Sequence, residues 1–153
     1  MSVEGPTTPW DFSSPHVVTL EVSAADIDAY DHVNNSVYLA WLDRAAWSHS
    51  AALGISLEHC VKNLRRGMAA HRTEIDYLRA AVMSDRVWVG TWIVDTDGKL
   101  RVRRCFQVRR VSDGATLARA QIDYVCINLD TGRAARMPDV FQHAYNVTAA
   151  AAT

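Results

Sequence analysis

The stretch that decides the fold is NSVYLAWLDRAAWSHSAALG, residues 35–54. Its apolar residues recur at helical spacing, which predicts an α-helix over Asn35 to Leu53. Asn34 or Asn35 can cap the start of this helix, and Gly54 can end it in a left-handed conformation. The side chains predicted to face the core are Val37, Tyr38, Trp41, Leu42, Ala45, Ala52 and Leu53. Apolar residues also lie on the opposite side, so we expect other structure to surround the helix on all sides.

Outside this helix, long segments alternate with a period of two, which is typical of strands. One strand is predicted before the helix, at His16 to Ser23. The strands predicted after it are Met68 to Leu78, Arg86 to Asp95, Leu100 to Val111 and Ala115 to Asn128. Short helical segments are predicted at Ser56 to Leu64 and Pro138 to Tyr145. This order indicates an α+β architecture in which a curved antiparallel sheet wraps around one long central helix.

The predicted strand Leu100 to Val111 has two different faces. Val102, Phe106 and Val108 share one face, which we expect to meet the core. The other face carries Arg101, Arg103, Gln107 and Arg109. We expect that second face to meet water or a partner.

The two ends of the chain differ in composition from the middle. Residues 1–15 are rich in Pro, Thr and Ser and are predicted to form a flexible N-terminal arm, part of which Trp10 and Phe12 can anchor. Residues 147–153 are low in complexity and are predicted to form a disordered tail. Residues 16–146 are predicted to form one domain, since they contain no repeat and no linker.

The composition does not favour several classes of partner. The chain of 153 residues carries 16 basic and 17 acidic side chains, so its net charge does not favour nucleic acid or anionic lipid. No signal peptide and no apolar run of membrane-spanning length is apparent. The three cysteines lack the spacing of a disulfide framework or a zinc site, which favours buried thiols in a reducing compartment. We therefore expect a cytoplasmic protein with no nucleic-acid or membrane partner.

Residues 26–35, DIDAYDHVNN, place three carboxylates, one imidazole and two amides between a predicted strand and the helix start. Such loops often serve only to cap helices and form turns, because Asp and Asn side chains bond to nearby backbone. A calcium loop would need Gly at the sixth place and Glu at the twelfth, where this chain has Asp31 and Val37. One histidine is too few for zinc, and no nucleophile elbow or phosphate-binding loop is present. We expect no metal and no cofactor.

A carboxylate beside a helix start suits thioester chemistry. The unpaired N–H groups at a helix start can polarise a carbonyl oxygen, and the carboxylate can attack the carbon or activate water. The thiol that leaves a thioester has a pKa of about 8.5, so it departs without a strong general acid.

Several runs together resemble the hotdog-fold acyl-CoA thioesterases, and most closely their 4-hydroxybenzoyl-CoA thioesterase-like group. The runs are DAYDHVNN at residues 28–35, EIDYLRAA at 74–81 and DTGR at 130–133. The resemblance covers nearly all of the chain between the arm and the tail. It implies a hotdog fold and hydrolysis of an acyl-CoA to a free acid and CoA.

The resemblance also implies roles for particular residues. Asp28 matches the catalytic aspartate, acting as nucleophile or general base, and Asn35 matches the residue whose backbone N–H receives the thioester carbonyl. His32 is similar to a histidine in the catalytic network of plant acyl-ACP thioesterases, which have Asn where this chain has Tyr30. Many relatives have Gly where this chain has Asp31, a residue type that tolerates a left-handed backbone. The residues that we expect to contact the substrate are Tyr30, Asn34 and Tyr38.

The resemblance further implies a homodimer or homotetramer, with two sheets joined edge to edge and the sites at the interface. It leaves three functions open: hydrolysis of acyl-CoA, hydrolysis of acyl-ACP, and non-catalytic binding of an acyl thioester. Two other polar residues of the helix have simpler interpretations. Asp43 is predicted to pair with a nearby arginine, and His49 to be a hydrogen-bonded core histidine.

Overall fold

The computed structural model describes residues 5–147 and contains one five-stranded sheet. Its antiparallel strands lie in the order β1-β3-β4-β5-β2. They are β1 His16–Glu21, β2 Arg66–Tyr77, β3 Arg86–Thr96, β4 Arg101–Arg110 and β5 Thr116–Asn128. All five predicted strands are confirmed, and the α+β class with them.

The long helix is also confirmed. Helix α1 spans Asn35–Ala52, and the side chain of its N-cap, Asn34, accepts a hydrogen bond from the amide of Ser36. Gly54 follows with a φ of 90°, a conformation that glycine adopts at little cost. The second predicted helical segment divides into α2, Leu57–His59, and a π-helical turn, Cys60–Leu64. The last helix is α3, Asp139–Ala144.

Helix α1 lies against the inner face of the sheet, with Trp41, Leu42 and Ala45 buried between them. The expected curved sheet around one long helix is confirmed, and within the described residues the strands cover one side of that helix. Leu39 is 46% exposed and Trp47 is 48% exposed. A single sheet can cover only one side of a helix, so the apolar residues on the other side remain open in one subunit.

Strand β4 separates an inner from an outer face, as predicted. Val102, Phe106 and Val108 are buried on the inner face. The expectation of an open outer face is wrong at Gln107 and Arg109, which are both 2% exposed. Part of the N-terminal arm covers them.

The described part of the arm packs on the outer face of the sheet. The ring centroid of Trp92 is 5.9 Å from that of Trp10 and 5.4 Å from that of Phe12, and its Nε1 donates to the carbonyl of Ser13 at 2.9 Å. A Cβ on Gly90 would lie 2.8 Å from the Trp10 ring, so this close approach requires glycine. Residues 10–13 are therefore packed rather than free. The domain limits 1–15, 16–146 and 147–153 stay predictions, and residues 1–4 and 148–153 lie outside the described residues.

Strand β2 forms one edge of the sheet. Within residues 5–147 it pairs with β5 alone, and most of its residues from Ala70 to Tyr77 are exposed. Its other side therefore has free backbone groups along its length, which is the geometry for pairing with another strand.

Candidate active site

The segment before α1 folds into a tight hairpin. Ile27 and Val33 form an antiparallel bridge, and the amide of Asp28 donates to the carbonyl of His32 at 2.8 Å. Asp31 lies at the turn with a φ of 59°, so the prediction that an aspartate can replace glycine there is confirmed. The hairpin fixes Asp28 close in sequence and in space to the start of α1.

The carboxylate of Asp28 is half-buried and has one hydrogen bond. Its Oδ1 accepts from the amide of Tyr30 at 2.9 Å, which closes an Asx turn. Among residues 5–147, its Oδ2 has no partner. One carboxylate oxygen thus holds the turn, and the other is available for chemistry.

The start of α1 leaves one amide open. Asn34 accepts through Oδ1 from the amide of Ser36 at 3.0 Å and from its hydroxyl at 2.9 Å. The amide of Asn35 donates to no acceptor within the described residues, as expected for the first residue of a helix. The Tyr77 hydroxyl, from the end of β2, donates to the Asn35 carbonyl at 3.0 Å. Edge strand and helix start are therefore in direct contact.

The other predicted site residues lie in different surroundings. Tyr30 is 83% exposed at the hairpin tip, and His32 is exposed beside it. Tyr38 is 2% exposed, and its hydroxyl accepts from the amide of Ala81 at 2.9 Å. The ring of Tyr38 is packed in the core and its hydroxyl accepts one hydrogen bond, so the expected substrate contact of Tyr38 stays a prediction. Asn34 serves as the helix cap.

A cavity of about 300 Å³ lies further along α1, between the helix, the π-helical turn and the inner face of the sheet. Asp28 does not line it. Most of its walls are apolar, including Met68, Val102 and Ile127. Three charged residues also line it: Asp43, Arg66 and Arg104. Asp43 forms no ion pair within residues 5–147, so the expectation that it pairs with an arginine is wrong.

Arg104 of β4 lines the same cavity and is only 3% exposed. Its Nη1 lies 2.6 Å from Nδ1 of His49, and its Nη2 donates to the Ser50 hydroxyl at 3.2 Å. The Ser50 hydroxyl is also 2.9 Å from the hydroxyl of Tyr145, whose ring lies 5.8 Å from the guanidinium. These residues form a polar cluster under the C-terminal half of α1.

His49 is the neutral acceptor of this cluster. Burial is the largest cause that lowers its pKa to about 4, and the positive charge of Arg104 lowers it further. Its ring stacks on that of His16, with centroids 5.0 Å apart. The prediction of a hydrogen-bonded histidine facing the interior is confirmed.

Arg104 was missed by the sequence analysis, although a signal was present. It lies two residues from Val102 and two from Phe106, and therefore on the apolar face of β4. A charged residue on the core side of a period-two pattern is rare, because burial of a charge is costly. That single mismatch in the alternation could have identified it.

Three other features of residues 5–147 bear on function. The described residues include no helix long and apolar enough to span a bilayer. No cluster of three or more His, Cys, Asp or Glu side chains in this range could hold a metal ion. Cys60 and Cys126 are buried and Cys105 is partly buried, all as free thiols.

Comparison with known proteins assigns the chain to a family. A family model described as the thioesterase-like superfamily matches residues 22–145. The long-chain acyl-CoA thioesterase FadM of Escherichia coli (strain K12) is 31% identical over 123 residues, which cover 75% of this chain and 85% of FadM.

Solved structures share the fold. Slr0204, a 1,4-dihydroxy-2-naphthoyl-CoA thioesterase from Synechocystis, matches with a TM-score of 0.78 and 23% identity, over 86% of this chain and 96% of that one. SAV2348 from Staphylococcus aureus, solved in complex with CoA, matches with a TM-score of 0.78 and 22% identity, over 90% and 88%. These likenesses confirm the expected hotdog fold, and the match over residues 22–145 shows that the chain belongs to the thioesterase-like superfamily.

Proposed function

We propose that this protein hydrolyses an acyl-CoA to a free carboxylic acid and CoA, with Asp28 as the catalytic carboxylate. One observation carries the proposal: a half-buried carboxylate with a free oxygen lies in the hairpin that leads directly into a helix start with a free amide. Membership of the thioesterase-like superfamily, the 31% identity to an acyl-CoA thioesterase and the fold shared with a CoA complex all support it.

The chemistry follows from these two groups. The amide of Asn35 donates to the thioester oxygen and stabilises the negative charge that develops there. Asp28 either takes a proton from water as the water oxygen bonds to the carbonyl carbon, or attacks that carbon itself and forms an anhydride that water then opens. In both routes the carbon–sulfur bond breaks and CoA leaves as a thiolate. One proton of the water goes to that thiolate, and the oxygen and the other proton of the water end on the carboxylic acid.

We also propose that the site is completed in a homodimer. The free edge of β2 can pair with β2 of a second copy, and Tyr77 at the end of this strand already contacts Asn35. Pairing of the two edges would therefore place the second copy beside the Asp28 hairpin. Tyr30 and His32, which are exposed in one subunit, would then face the partner or the substrate.

A second candidate function, non-catalytic binding, is favoured by the Asx turn, because Oδ1 of Asp28 has a structural role. The substitution Asp28→Asn separates the two. Asparagine retains the oxygen that accepts from Tyr30, so the turn is kept while the charge is lost. Asp31→Asn is a matched control, since it removes an exposed carboxylate from the same turn and asparagine also tolerates a positive φ.

The test is release of thiol from a panel of acyl-CoA and acyl-ACP substrates. We expect turnover of acyl-CoA, a loss of more than ~100-fold in kcat for Asp28→Asn, and no loss for Asp31→Asn. Turnover of carrier-protein thioesters alone would mean that the acyl donor is acyl-ACP and not acyl-CoA. If the wild-type protein binds acyl-CoA without turnover, it is a binding protein and the catalytic proposal is wrong.

A further inference from the structure

Arg104 is a buried charge for which residues 5–147 supply no carboxylate partner. It takes part in none of the ion pairs of this range. A guanidinium has five N–H donors, and Arg104 uses two of them, on His49 and Ser50. Because a buried charge is costly unless it is paired, this arrangement requires an explanation.

A second free donor lies nearby. The hydroxyl of Tyr124, on β5, lines the same cavity and has no hydrogen bond to any described residue. No polar side-chain atom that is sealed from solvent in residues 5–147 lacks a partner. The Nε of Arg104 and the hydroxyl of Tyr124, which have no partner among these residues, are therefore not sealed from solvent. Arg104 is only 3% exposed and both residues line the cavity, so the cavity is the space beside these two donors.

The shape and polarity of the cavity indicate its occupant. Its volume of about 300 Å³ is at the lower limit for ligand pockets. The apolar walls, which include Met68, Val102 and Ile127, suit an alkyl chain. Arg66 and Arg104 place two positive charges on the lining against the one carboxylate of Asp43, and this balance suits an anion. Carboxylate is the planar anion that a guanidinium binds best through two parallel hydrogen bonds.

The C-terminal turn of α1 is a competing explanation for the charge. The aligned peptide dipoles place a partial negative charge at this end of the helix, which favours a nearby cation. Ser50, which contacts Arg104, lies in this turn. The helix end accounts for a cation there, but not for the unused donors of Arg104 or for the free hydroxyl of Tyr124.

Arg104 contacts Ser50 near the end of α1, and the distance from there to the helix start sets the length of the ligand. Ser50 follows Asn35 by fifteen residues, so it lies about 22 Å from the helix start along the helix axis. A thioester carbonyl at Asn35 and an anion at Arg104 can belong to one molecule only if a long chain separates them.

We propose that the cavity receives the far end of a long acyl chain, and that Arg104 and Tyr124 bind a carboxylate at that end. The preferred substrates are then long-chain ω-carboxyacyl thioesters. This inference rests on the proposed thioesterase function for the reacting end of the molecule, but not for the anion site.

The first test compares two thioesters that differ only at the far end, hexadecanedioyl-CoA and palmitoyl-CoA. We expect the wild-type protein to show a kcat/KM higher for the diacid thioester by roughly 10- to 100-fold, which Arg104→Met abolishes. Arg86→Met, which removes an exposed charge from β3, should keep the preference. Equal preference in the wild-type protein and Arg104→Met would overturn the proposal.

The second test needs no turnover. Decanoate and 1-decanol carry the same chain, and calorimetry gives the affinity of each. We expect Arg104→Met to weaken decanoate binding by roughly 10- to 100-fold and to leave decanol binding unchanged. Tyr124→Phe removes only a hydroxyl without a partner, so it should fold normally and weaken decanoate by roughly 3- to 10-fold.

The two tests separate the two proposals. Arg104-dependent decanoate binding without turnover of any thioester would retain the anion site and reject the thioesterase. Turnover with decanoate binding that is indifferent to both substitutions would retain the thioesterase and reject the anion site.

Discussion

Strand β4 carries two buried arginines on opposite faces, and the chain treats them differently. Arg104 on the inner face is 3% exposed, and Arg109 on the outer face is 2% exposed. Burial lowers the pKa of both guanidinium groups. Neither forms an ion pair within residues 5–147.

The difference lies in what surrounds each guanidinium. Arg109 donates to the carbonyls of Gly114 at 3.0 Å, Thr8 at 3.1 Å and Pro9 at 3.3 Å, and also to the Thr8 hydroxyl. The Trp10 ring covers it, with its centroid 5.0 Å away. Arg104 donates to two protein groups, His49 and Ser50, and lies beside a cavity. The N-terminal arm therefore supplies hydrogen-bond acceptors to Arg109, whereas the remaining donors of Arg104 are left for a ligand in the cavity.

We expect the largest difference when each arginine is replaced by methionine and the free energy of unfolding is measured. Arg109→Met should lower the free energy of unfolding by about 3 kcal/mol, because it removes four hydrogen bonds from a charged donor and releases the arm. Arg104→Met should leave it unchanged or raise it by about 1 kcal/mol, because an apolar side chain removes a buried charge that lacks a partner carboxylate. Urea unfolding of both variants measures the difference. Equal destabilisation by the two substitutions would mean that Arg104 is structural.

Substitution of two tryptophans tests separately whether the N-terminal arm covers the outer face of the sheet. Trp10→Ala should lower the free energy of unfolding by about 2 kcal/mol, because Trp10 packs on Trp92 and Arg109 and is half-buried. Trp47→Ala is the matched control and should change it by less than about 0.5 kcal/mol, since Trp47 is 48% exposed. Thermal unfolding of the two variants is sufficient. If both lose the same stability, the arm does not close the outer face.

The smallest expected effect is the pH dependence of the free energy of unfolding that arises from His49, in the polar cluster under the C-terminal half of α1. His49 has a pKa of about 4 when folded and an ordinary value of about 6.5 when unfolded, so the unfolded state binds more protons between these values. The free energy of unfolding should therefore fall as the pH falls from 7.5 to 5.0. His49→Asn retains an acceptor for Arg104 but does not titrate.

We expect the wild-type protein to lose about 1 kcal/mol more than His49→Asn over this range, a value reduced for the partial exposure of His49. Part of the slope should persist in the variant, because burial also lowers the pKa of His16. Urea midpoints at the two pH values give both slopes. Identical slopes would show that His49 is not the titrating group.

Sequence patterns predicted the strands, the long helix and the polar loop before it, because each depends on neighbours in the chain. The Asx turn of Asp28 involves residues two apart, and the cap of Asn34 does as well. The hydrogen bond that the Tyr38 hydroxyl accepts was not predictable in this way, and neither was the free edge of β2. They depend on the partner Ala81 and on the strand order, which are set by distant segments.

The sequence by itself determined the elements of the fold and the hairpin at the start of α1, because local spacing decides period, capping and turn. Only the tertiary structure decided which of the two buried arginines is enclosed by other parts of the chain. Arg104 and Arg109 are five residues apart on one strand, and alternation places them on opposite faces. The arm, about a hundred residues earlier in the chain, packs on one of these faces and encloses Arg109. Helix α1 packs on the other face, and a cavity lies beside Arg104 between the helix and the sheet.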